Sequence, residues 1–232
     1  MQKTALVTGC SSGIGHFISQ ELSSNGIKVI GLDYHNITSD YNFDFHLVDL
    51  TSEEAVCLIF DRIGAIDYAI NCAGVSSTRK KLIEFSSEEI VNEWQLNFLA
   101  TFNPLKYEIL NMTQRNYGRI INLCSITAHI GMENFSAYSS SKSSIYILTK
   151  IAAIENSKFG IHINSISPAT IDTPMIRKKY CGKLKDYSGI YPVGKCGHPK
   201  DVYLTVKMLI ENDFITGHDI RLDGGLTDLR TI

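Results

Sequence analysis

Short runs of apolar, often β-branched residues alternate with longer stretches of helical periodicity along almost the whole chain. Strands that are each followed by a helix build parallel sheets with helices on both faces. The predicted strands are Ala5–Thr8, Lys28–Asp33, Phe45–Asp49, Asp67–Asn71, Arg119–Leu123, His162–Ser167 and Asp219–Leu222. The predicted helices are Ile14–Ser24, Glu53–Arg62, Glu88–Met112, Ala137–Lys158 and Pro199–Glu211. The pattern predicts one α/β domain over residues 1–232, a doubly wound, three-layer α/β/α fold.

Two connections in this pattern differ from the rest. About a dozen residues, from Tyr34 to Asp44, join the second and third predicted strands, which is too few for a crossover helix with its turns. The segment from Ile171 to Gly197 contains several glycines and prolines and is irregular. We expect the first connection to lack a helix and the second to form a surface lid.

The charge balance narrows the class of partner. The 232 residues include 22 Lys and Arg against 24 Asp and Glu, a formal net charge of −2 with a pI near 6.4. This balance gives no electrostatic reason to bind nucleic acid or an anionic membrane, so we expect a small-molecule partner. The sequence shows no secretory signal and no apolar run long enough to cross a bilayer. Its six cysteines never approach CxxC spacing, which is typical of free thiols in the cytoplasm and predicts no metal site.

A glycine-rich loop follows the first predicted strand, and a helix begins directly after it. Glycine lets the backbone turn sharply and approach a pyrophosphate, while the helix N-terminus offers free N–H groups. The arrangement favours a dinucleotide-binding loop, with an ordinary glycine-rich turn between a strand and a helix as the alternative. The residues expected to hold the pyrophosphate are Gly9, Ser11, Ser12, Gly13, Ile14 and Gly15.

Asp33 ends the second predicted strand, 18 positions after Gly15. This is close to the spacing at which an acidic side chain reaches the adenosine ribose. A carboxylate there would repel a 2′-phosphate, and Tyr34, not an arginine, follows it. An aspartate that merely ends a strand is the alternative. With the loop, Asp33 predicts NAD as the cofactor in preference to NADP.

Tyr138 and Lys142 are four residues apart, so a helix places the phenol and the ammonium on one face. The ordinary tyrosine pKa of about 10 is too high for a base at neutral pH, but a nearby ammonium and an oxidised nicotinamide favour the phenolate. Ser125 ends a predicted strand, where its hydroxyl can hold a substrate oxygen. Alone, the Tyr138–Lys142 spacing is also typical of a solvated helix face.

These elements occur in one order: the Thr8–Gly15 loop, Asp49–Leu50, Asn71–Gly74, Asn97, Ser125, Tyr138 with Lys142, and Pro168 with Thr173. In this order and near these spacings, the chain resembles the short-chain dehydrogenase/reductase family from Thr4 to Gly225. The resemblance implies a Rossmann-like sheet of about seven strands and hydride transfer between a nicotinamide and an alcohol or ketone carbon. It implies that Tyr138 is the general acid/base, that Ser125 orients the reacting oxygen, and that Lys142 binds the nicotinamide ribose. Asn97 would anchor a water that relays the proton, and the other implied cofactor contacts are Asp49, Leu50, Asn71, Ala73, Gly74, Ile171 and Thr173.

Two features depart from the family pattern. Ala169 stands where the family usually has glycine, which questions the local loop geometry. The lid between Thr173 and Tyr191 is shorter than is usual, which favours a small or incompletely enclosed substrate. Candidate pocket residues, with loop packing as the alternative, are His129, Met132 and Tyr187.

The substrate class stays open at this stage. Ser125–His129 and Ser167–Thr173 resemble 2,3-dihydro-2,3-dihydroxybenzoate dehydrogenases, which oxidise a cyclic dihydrodiol with NAD. Gly118–Asn122 and Leu222–Leu226 resemble 3-oxoacyl-carrier-protein reductases, which mostly use NADPH. Basic lid residues are suited to a carboxylate or an acidic carrier protein, or form only a solvated surface. They are Arg177, Lys178, Lys179, Lys183 and Lys185.

An alternative of another class is a catalytically idle dinucleotide-binding module. Such a module needs no general acid/base, so the complete set of Asn97, Ser125, Tyr138 and Lys142 favours an enzyme. The predicted helix Glu88–Met112 carries apolar residues on more than one face, which predicts contact with another subunit. These residues are Ile90, Val91, Trp94, Leu96, Phe98 and Leu99. The resemblance implies a homodimer or homotetramer.

Overall fold

The computed structural model describes residues 2–75, 79–179 and 186–229, and its strands form a single sheet. The sheet has seven strands in the order β3-β2-β1-β4-β5-β6-β7, and all neighbours pair in parallel. The strands are β1 (Thr4–Thr8), β2 (Lys28–Asp33), β3 (Asp44–Leu47), β4 (Tyr68–Asn71), β5 (Gly118–Leu123), β6 (Ile161–Pro168) and β7 (Asp219–Leu222). All seven predicted strands are confirmed, with β3 shifted toward the N-terminus.

Helices cover both faces of the sheet. They are α1 (Gly13–Ser24), α2 (Glu53–Phe60), α3 (Ser87–Trp94), α4 (Ala100–Thr113), α5 (Ser136–Asn156), α6 (Pro174–Lys179) and α7 (Pro199–Glu211). On one face, Ile18 of α1 and Val206 of α7 pack in a core with Val7 of β1. On the other face, residues of α2, α4 and α5 pack in a second core around Leu6 of β1 and Ile120 of β5. This is the doubly wound, three-layer fold that the sequence predicts.

The predicted helix Glu88–Met112 has an irregular centre. Helix α3 ends at Trp94, a π-helical turn covers Gln95–Leu99, and α4 follows directly. Pro104 lies in α4 and has no N–H to donate to the carbonyl of Ala100. The change from π-helical to α-helical hydrogen bonding occurs at Ala100, directly after the π-helical turn. Single π-helical turns are often found at functional sites.

The two irregular connections differ from each other. Residues 34–43 contain no helix, as their small number predicts. The lid contains α6, which is only six residues long and begins at Pro174, so it is too short to show helical periodicity. Ile171 and Gly197, at the two ends of the lid segment, pair through an isolated parallel bridge. Residues 180–185, with Lys183 and Lys185, and the Lys179 side chain lie outside the described part of the lid.

The strand order places a crevice at one edge of the sheet. The chain runs outward from β1 in both directions, first to β2 and β3 and then to β4 and beyond. The connections that follow β1 and β4 therefore lead to helices on opposite faces of the sheet, and doubly wound sheets bind ligands at the carboxyl ends of such strands. Among the helices of the described residues, none combines the length and apolar character needed to cross a bilayer.

Candidate functional site

Glycines shape the loop that follows β1. Gly9 has a φ of +69°, and a Cβ at this position would lie 2.8 Å from the backbone nitrogen of Ala73. A Cβ at Gly15 would overlap the carbonyl oxygen of Gly9. Gly13 has a φ of +58°, and its Cβ position lies 3.6 Å from the Thr173 side chain. The loop thus lies against both the segment after β4 and Thr173, which the sequence places in the same site.

The N-terminus of α1 is open to an anionic group. Ser12 is the residue that precedes the helix, but its side chain makes no capping hydrogen bond, and the first turn contains no acidic residue. The free N–H groups and the positive end of the helix dipole favour a phosphate here. The loop and this helix end therefore fit the pyrophosphate of a dinucleotide.

Asp33 links β2 to the glycine-rich loop. One carboxylate oxygen of Asp33 accepts a hydrogen bond from the backbone N–H of Ser11, at 2.9 Å. The other accepts one from the backbone N–H of His35, also at 2.9 Å. These two bonds hold the carboxylate at the carboxyl end of β2, beside the loop, where the sequence predicts a ribose contact.

Asp49 and Leu50 follow β3. Asp49 is exposed and accepts hydrogen bonds from the N–H and the hydroxyl of Thr51, at 2.9 and 2.7 Å. The Leu50 side chain is buried in the core, and its carbonyl accepts a hydrogen bond from Asn103 at 3.0 Å. The Leu50 side chain therefore belongs to the core that α2 and α4 form on one face of the sheet.

Asn71 ends β4, but its side chain does not line the cleft. It is fully buried and donates hydrogen bonds to Glu108 Oε2 and Asn122 Oδ1, each at 2.9 Å. Asn122 in turn donates to Thr149 at 2.9 Å. Burial raises the pKa of Glu108 to about 8, and the hydrogen bond from Asn71 acts in the opposite direction. The Asn71 side chain therefore ties the end of β4 to α4 and β5. Any contact that Asn71 makes with a cofactor must come from its backbone.

The π-helical turn positions Asn97. This side chain is fully buried, accepts a hydrogen bond from the N–H of Val75 at 3.0 Å and donates to the Glu93 carbonyl at 3.2 Å. Gly74 lies directly against it, since a Cβ there would be 2.7 Å from Asn97 Oδ1 and 3.3 Å from Lys142 Nζ. Three predicted site residues thus meet at one point, and a side chain at position 74 would separate them.

Ser125 follows β5 and precedes a 3₁₀ turn over Ile126–Ala128. The Ser125 hydroxyl accepts hydrogen bonds from the N–H and the hydroxyl of Thr127, at 3.2 and 3.0 Å. It also hydrogen-bonds with Tyr138 of α5, where Lys142 follows one turn later. The Lys142 ammonium donates to the Leu123 carbonyl at 3.0 Å and is 5.9 Å from the centre of the Tyr138 ring.

Desolvation governs the acid–base properties of this group. Burial raises the pKa of Tyr138 to about 12, and Cys124 and Glu93 act in the same direction, whereas the Ser125 hydrogen bond acts to lower it. Burial also lowers the pKa of Lys142. The chain's own groups therefore do not lower the pKa of Tyr138 as the sequence led us to expect, because desolvation outweighs the Ser125 hydrogen bond and the Lys142 ammonium is bonded to the Leu123 carbonyl.

A cleft of about 450 Å³ unites the catalytic candidates. Ser125, Tyr138 and Lys142 line it together with Gly74 and with Ile14, Ile171 and Thr173 on the side of the loop. Of the proposed pocket residues, Met132 and Tyr187 line the cleft, and Tyr187 stacks on Tyr191 with ring centres 5.4 Å apart.

His129 is not among the residues that line this cleft. Its Nε2 atom lies 3.0 Å from Ser167 Oγ and 3.0 Å from Asp219 Oδ2, and its ring packs edge-on against Tyr146. The sequence-based candidate for the pocket wall is therefore wrong for His129. His129 instead contacts Ser167 of β6 and Asp219 of β7, which are distant from it in sequence.

The departures at Ala169 and in the lid have simple structural outcomes. Ala169 does not have a positive φ, so its backbone conformation does not require glycine. Its N–H donates a hydrogen bond to the Leu222 carbonyl at 3.0 Å and so extends the pairing of β6 with β7. An alanine is therefore accommodated where the family usually has glycine. Arg177 in the lid forms two hydrogen bonds with the Asp172 carboxylate, at 2.7 and 2.6 Å. Its charge is thus already paired.

Two cleft residues were missed by the sequence reasoning. The Arg79 guanidinium lies over the Phe135 ring at 4.2 Å from its centre, and the Phe135 ring packs edge-on against Tyr138, with ring centres 6.3 Å apart. Arg79 follows β4 in a polar connection, where a basic residue is ordinary, so no local pattern distinguishes it. Phe135 immediately precedes α5, and only the fold brings it to Arg79.

The fold and the site together define a dinucleotide-binding oxidoreductase, and comparison with known proteins agrees. Residues 3–183 match the family described as short chain dehydrogenase. The chain belongs to this family.

Relatives of the chain align along its length. Cyclohexanol dehydrogenase from Acinetobacter sp. (strain SE19) is 31% identical, covering 97% of this chain and 95% of the relative. The 3-oxoacyl-[acyl-carrier-protein] reductase of Buchnera aphidicola subsp. Schizaphis graminum is 30% identical, covering 97% of each. A solved structure of ElxO with NADP bound superposes with a TM-score of 0.91 at 31% identity, covering 99% of this chain and 100% of that one.

Proposed function

We propose that this protein is an NAD(H)-dependent oxidoreductase that interconverts a secondary alcohol and a ketone. The observation that carries the proposal is the single cleft in which Ser125, Tyr138 and Lys142 lie beside the glycine-rich loop. A cofactor-binding module without chemistry needs no half-buried tyrosine hydrogen-bonded to a serine beside its nucleotide site.

Each residue has a role that follows from its contacts. Ser125 hydrogen-bonds to the substrate oxygen and holds it within reach of Tyr138. Tyr138 gives a proton to the ketone oxygen in reduction and takes one from the alcohol in oxidation. The nicotinamide, when bound, supplies or accepts the hydride. Lys142 and Asn97, which both lie against Gly74, hold the ribose and anchor a water for onward proton transfer.

The high pKa of Tyr138 matters for the direction of the reaction. A phenol whose pKa burial raises to about 12 is protonated at neutral pH, which suits donation to a ketone. Oxidation requires the phenolate, so it depends on stabilisation by the positive charge of the oxidised dinucleotide. We therefore expect oxidation to become faster as the pH rises.

Asp33 supports NAD as the cofactor. Its carboxylate is fixed at the carboxyl end of β2 by the N–H groups of Ser11 and His35, so it cannot easily turn away from a 2′-phosphate. ElxO, which is 31% identical, has NADP bound in its structure, so membership of the family does not decide the choice. The proposal for NAD rests on Asp33 and on Tyr34 after it.

A second copy of this chain is the proposed partner in a homodimer or homotetramer. Helix α5 exposes Ile147, Ile151 and Ile154, at 52%, 47% and 79%, with the spacing of one helix face. Exposed apolar stripes of this kind usually mark a contact surface.

The five described cysteines are free, in keeping with a cytoplasmic location.

A ketoreductase acting on 3-oxoacyl groups is the second candidate. It is favoured by the alignment with the Buchnera reductase over 97% of the chain. The two candidates differ in whether the substrate is free or carried as a thioester.

The test of the proposed function is a turnover assay with both dinucleotides. Secondary alcohols, ketones and 3-oxoacyl thioesters are offered to the full chain and to the Ser125→Ala variant. We expect turnover of free alcohols or ketones that falls in the variant while dinucleotide binding is retained. Preference for the thioesters would support the second candidate, and dinucleotide binding without any turnover would contradict both and favour the idle module.

A further inference from the structure

This inference rests on the proposed function and concerns Arg79, a cation in the cleft to which that function assigns no role. Arg79 lines the same cleft as Ser125 and Tyr138, and its guanidinium lies over the Phe135 ring at 4.2 Å. Phe135 is itself 6.3 Å from Tyr138, measured between ring centres. Arg79 and Tyr138 therefore both lie next to the same Phe135 ring, in the same cleft.

The charge of Arg79 is available to a ligand. Within the described residues Arg79 forms no ion pair with a carboxylate, and none of the described residues that line the cleft is acidic. The neighbouring cations are already engaged: Lys80 pairs with Glu89 at 2.5 Å, and Arg177 pairs with Asp172. Lys142, the other cation of the cleft, is buried and donates to a backbone carbonyl.

Stacking leaves the guanidinium suited to one kind of group. A guanidinium held over the face of an aromatic ring still has N–H groups that the ring does not cover, and their fork geometry matches a carboxylate. One cation balances one negative charge, whereas a phosphate dianion normally needs more donors. The cleft that contains Arg79 is otherwise lined largely by apolar side chains, among them Val75, Ile130, Met132, Met175, Ile176 and Ile190.

We infer that the substrate is a small hydroxy- or oxo-carboxylic acid with an apolar body, whose carboxylate is bound by Arg79 while its reacting oxygen lies at Ser125 and Tyr138. Arg79 would then determine specificity, and its stacking on Phe135 would fix the distance between the carboxylate and the reacting carbon. Free acids are preferred to esters and thioesters, because only the acid carries the charge that Arg79 pairs.

The test compares each acid with its methyl ester. The probes are 3-hydroxybutyrate and 3-hydroxycyclohexanecarboxylate, their methyl esters, and cyclohexanol as a neutral reference. We expect kcat/KM of the wild type to favour the acid by about tenfold or more in at least one pair, as a charge-assisted bidentate contact allows. Arg79→Met should abolish this ratio, Arg79→Lys should keep part of it, and Lys80→Met, which removes a neighbouring cation outside the cleft, should leave it unchanged.

The outcomes separate this inference from the function on which it rests. Turnover of cyclohexanol or the esters without any preference for acids overturns the role of Arg79 and leaves the oxidoreductase proposal standing. An acid preference that survives Arg79→Met, or that is lost equally in Lys80→Met, also overturns it. Absence of turnover on every probe, with either dinucleotide, contradicts both proposals.

Discussion

Glu108→Gln should make the protein more stable at neutral pH, although it alters a fully buried hydrogen-bonded residue. The Glu108 side chain is completely buried on α4, and its Oε2 atom accepts a hydrogen bond from Asn71 at 2.9 Å. Within the described residues its Oε1 atom has no hydrogen-bond partner. Glutamine has nearly the same shape and keeps an acceptor for Asn71, so the substitution removes ionisation with little change in packing.

The magnitude follows from the proton that Glu108 holds. Burial raises its pKa from 4.5 to about 8. Between these two values the folded chain binds one more proton than the unfolded chain, so the free energy of unfolding falls as the pH rises, by about 1.4 kcal/mol per pH unit for this group. The contribution is fully present below 4.5 and is lost as the pH rises toward 8. Relative to the wild type, Glu108→Gln should gain about 3 kcal/mol between about pH 5 and about pH 7.5.

Urea unfolding at fixed protein concentration, followed by far-UV circular dichroism across this pH range, measures the effect. The control is Glu53→Gln on α2, where a hydrogen bond from Lys106 lowers the pKa of the carboxyl group. A lowered pKa gives stability that is present above 4.5 and lost in acid, so this variant should show no gain at higher pH. A gap between the wild type and Glu108→Gln that stays constant with pH would refute the reasoning.

The remaining predictions concern the cofactor and the assembly. NAD(H) should bind at least about tenfold more tightly than NADP(H) in titration calorimetry, and Asp33→Ser combined with Tyr34→Arg should shift the preference toward NADP; equal dissociation constants in the wild type would contradict the assignment. The wild type should be a dimer or tetramer by light scattering at micromolar concentration, and Ile151→Glu with Ile154→Glu should reduce its mass to that of a monomer. Leu58→Glu, which changes a similarly exposed leucine on α2, should keep the wild-type mass, and a monomeric wild type would show that the α5 stripe has another role.

Elements with strong local signals could be predicted from the sequence. Strand β2 is a short apolar run between turns, strand β7 alternates charged and apolar residues, and both have the predicted bounds. Helix α7 also begins and ends as predicted, because Pro199 suits the first helical turn. The glycine-rich loop is equally local, since Gly9 and Gly15 occupy positions where a side chain has no room.

Features that depend on distant contacts could not be predicted. The bond between Asn71 and Glu108 spans 37 positions, so a buried acid on a helix looks like any polar helical residue in the sequence. The position of His129 depends on Asp219, a residue of the last strand. The spacing of Tyr138 and Lys142 fixes the face that they share, but it contains nothing about the desolvation that raises the pKa of Tyr138. The π-helical turn around Asn97 changes the hydrogen-bond spacing without interrupting the apolar pattern.

The pH dependence of alcohol oxidation in the wild type and in Tyr138→Phe tests the central claim most directly. Phenylalanine keeps the ring and removes the only group proposed to exchange a proton with the substrate. In the wild type we expect the rate to rise with pH along a limb whose apparent pKa lies below the value of about 12 that burial gives Tyr138 in the chain itself, because the bound dinucleotide adds positive charge. In Tyr138→Phe this limb should vanish and kcat should fall by about two to four powers of ten, with dinucleotide binding nearly intact. A variant that keeps both the limb and most of its turnover would contradict the assignment of Tyr138 as the general acid/base.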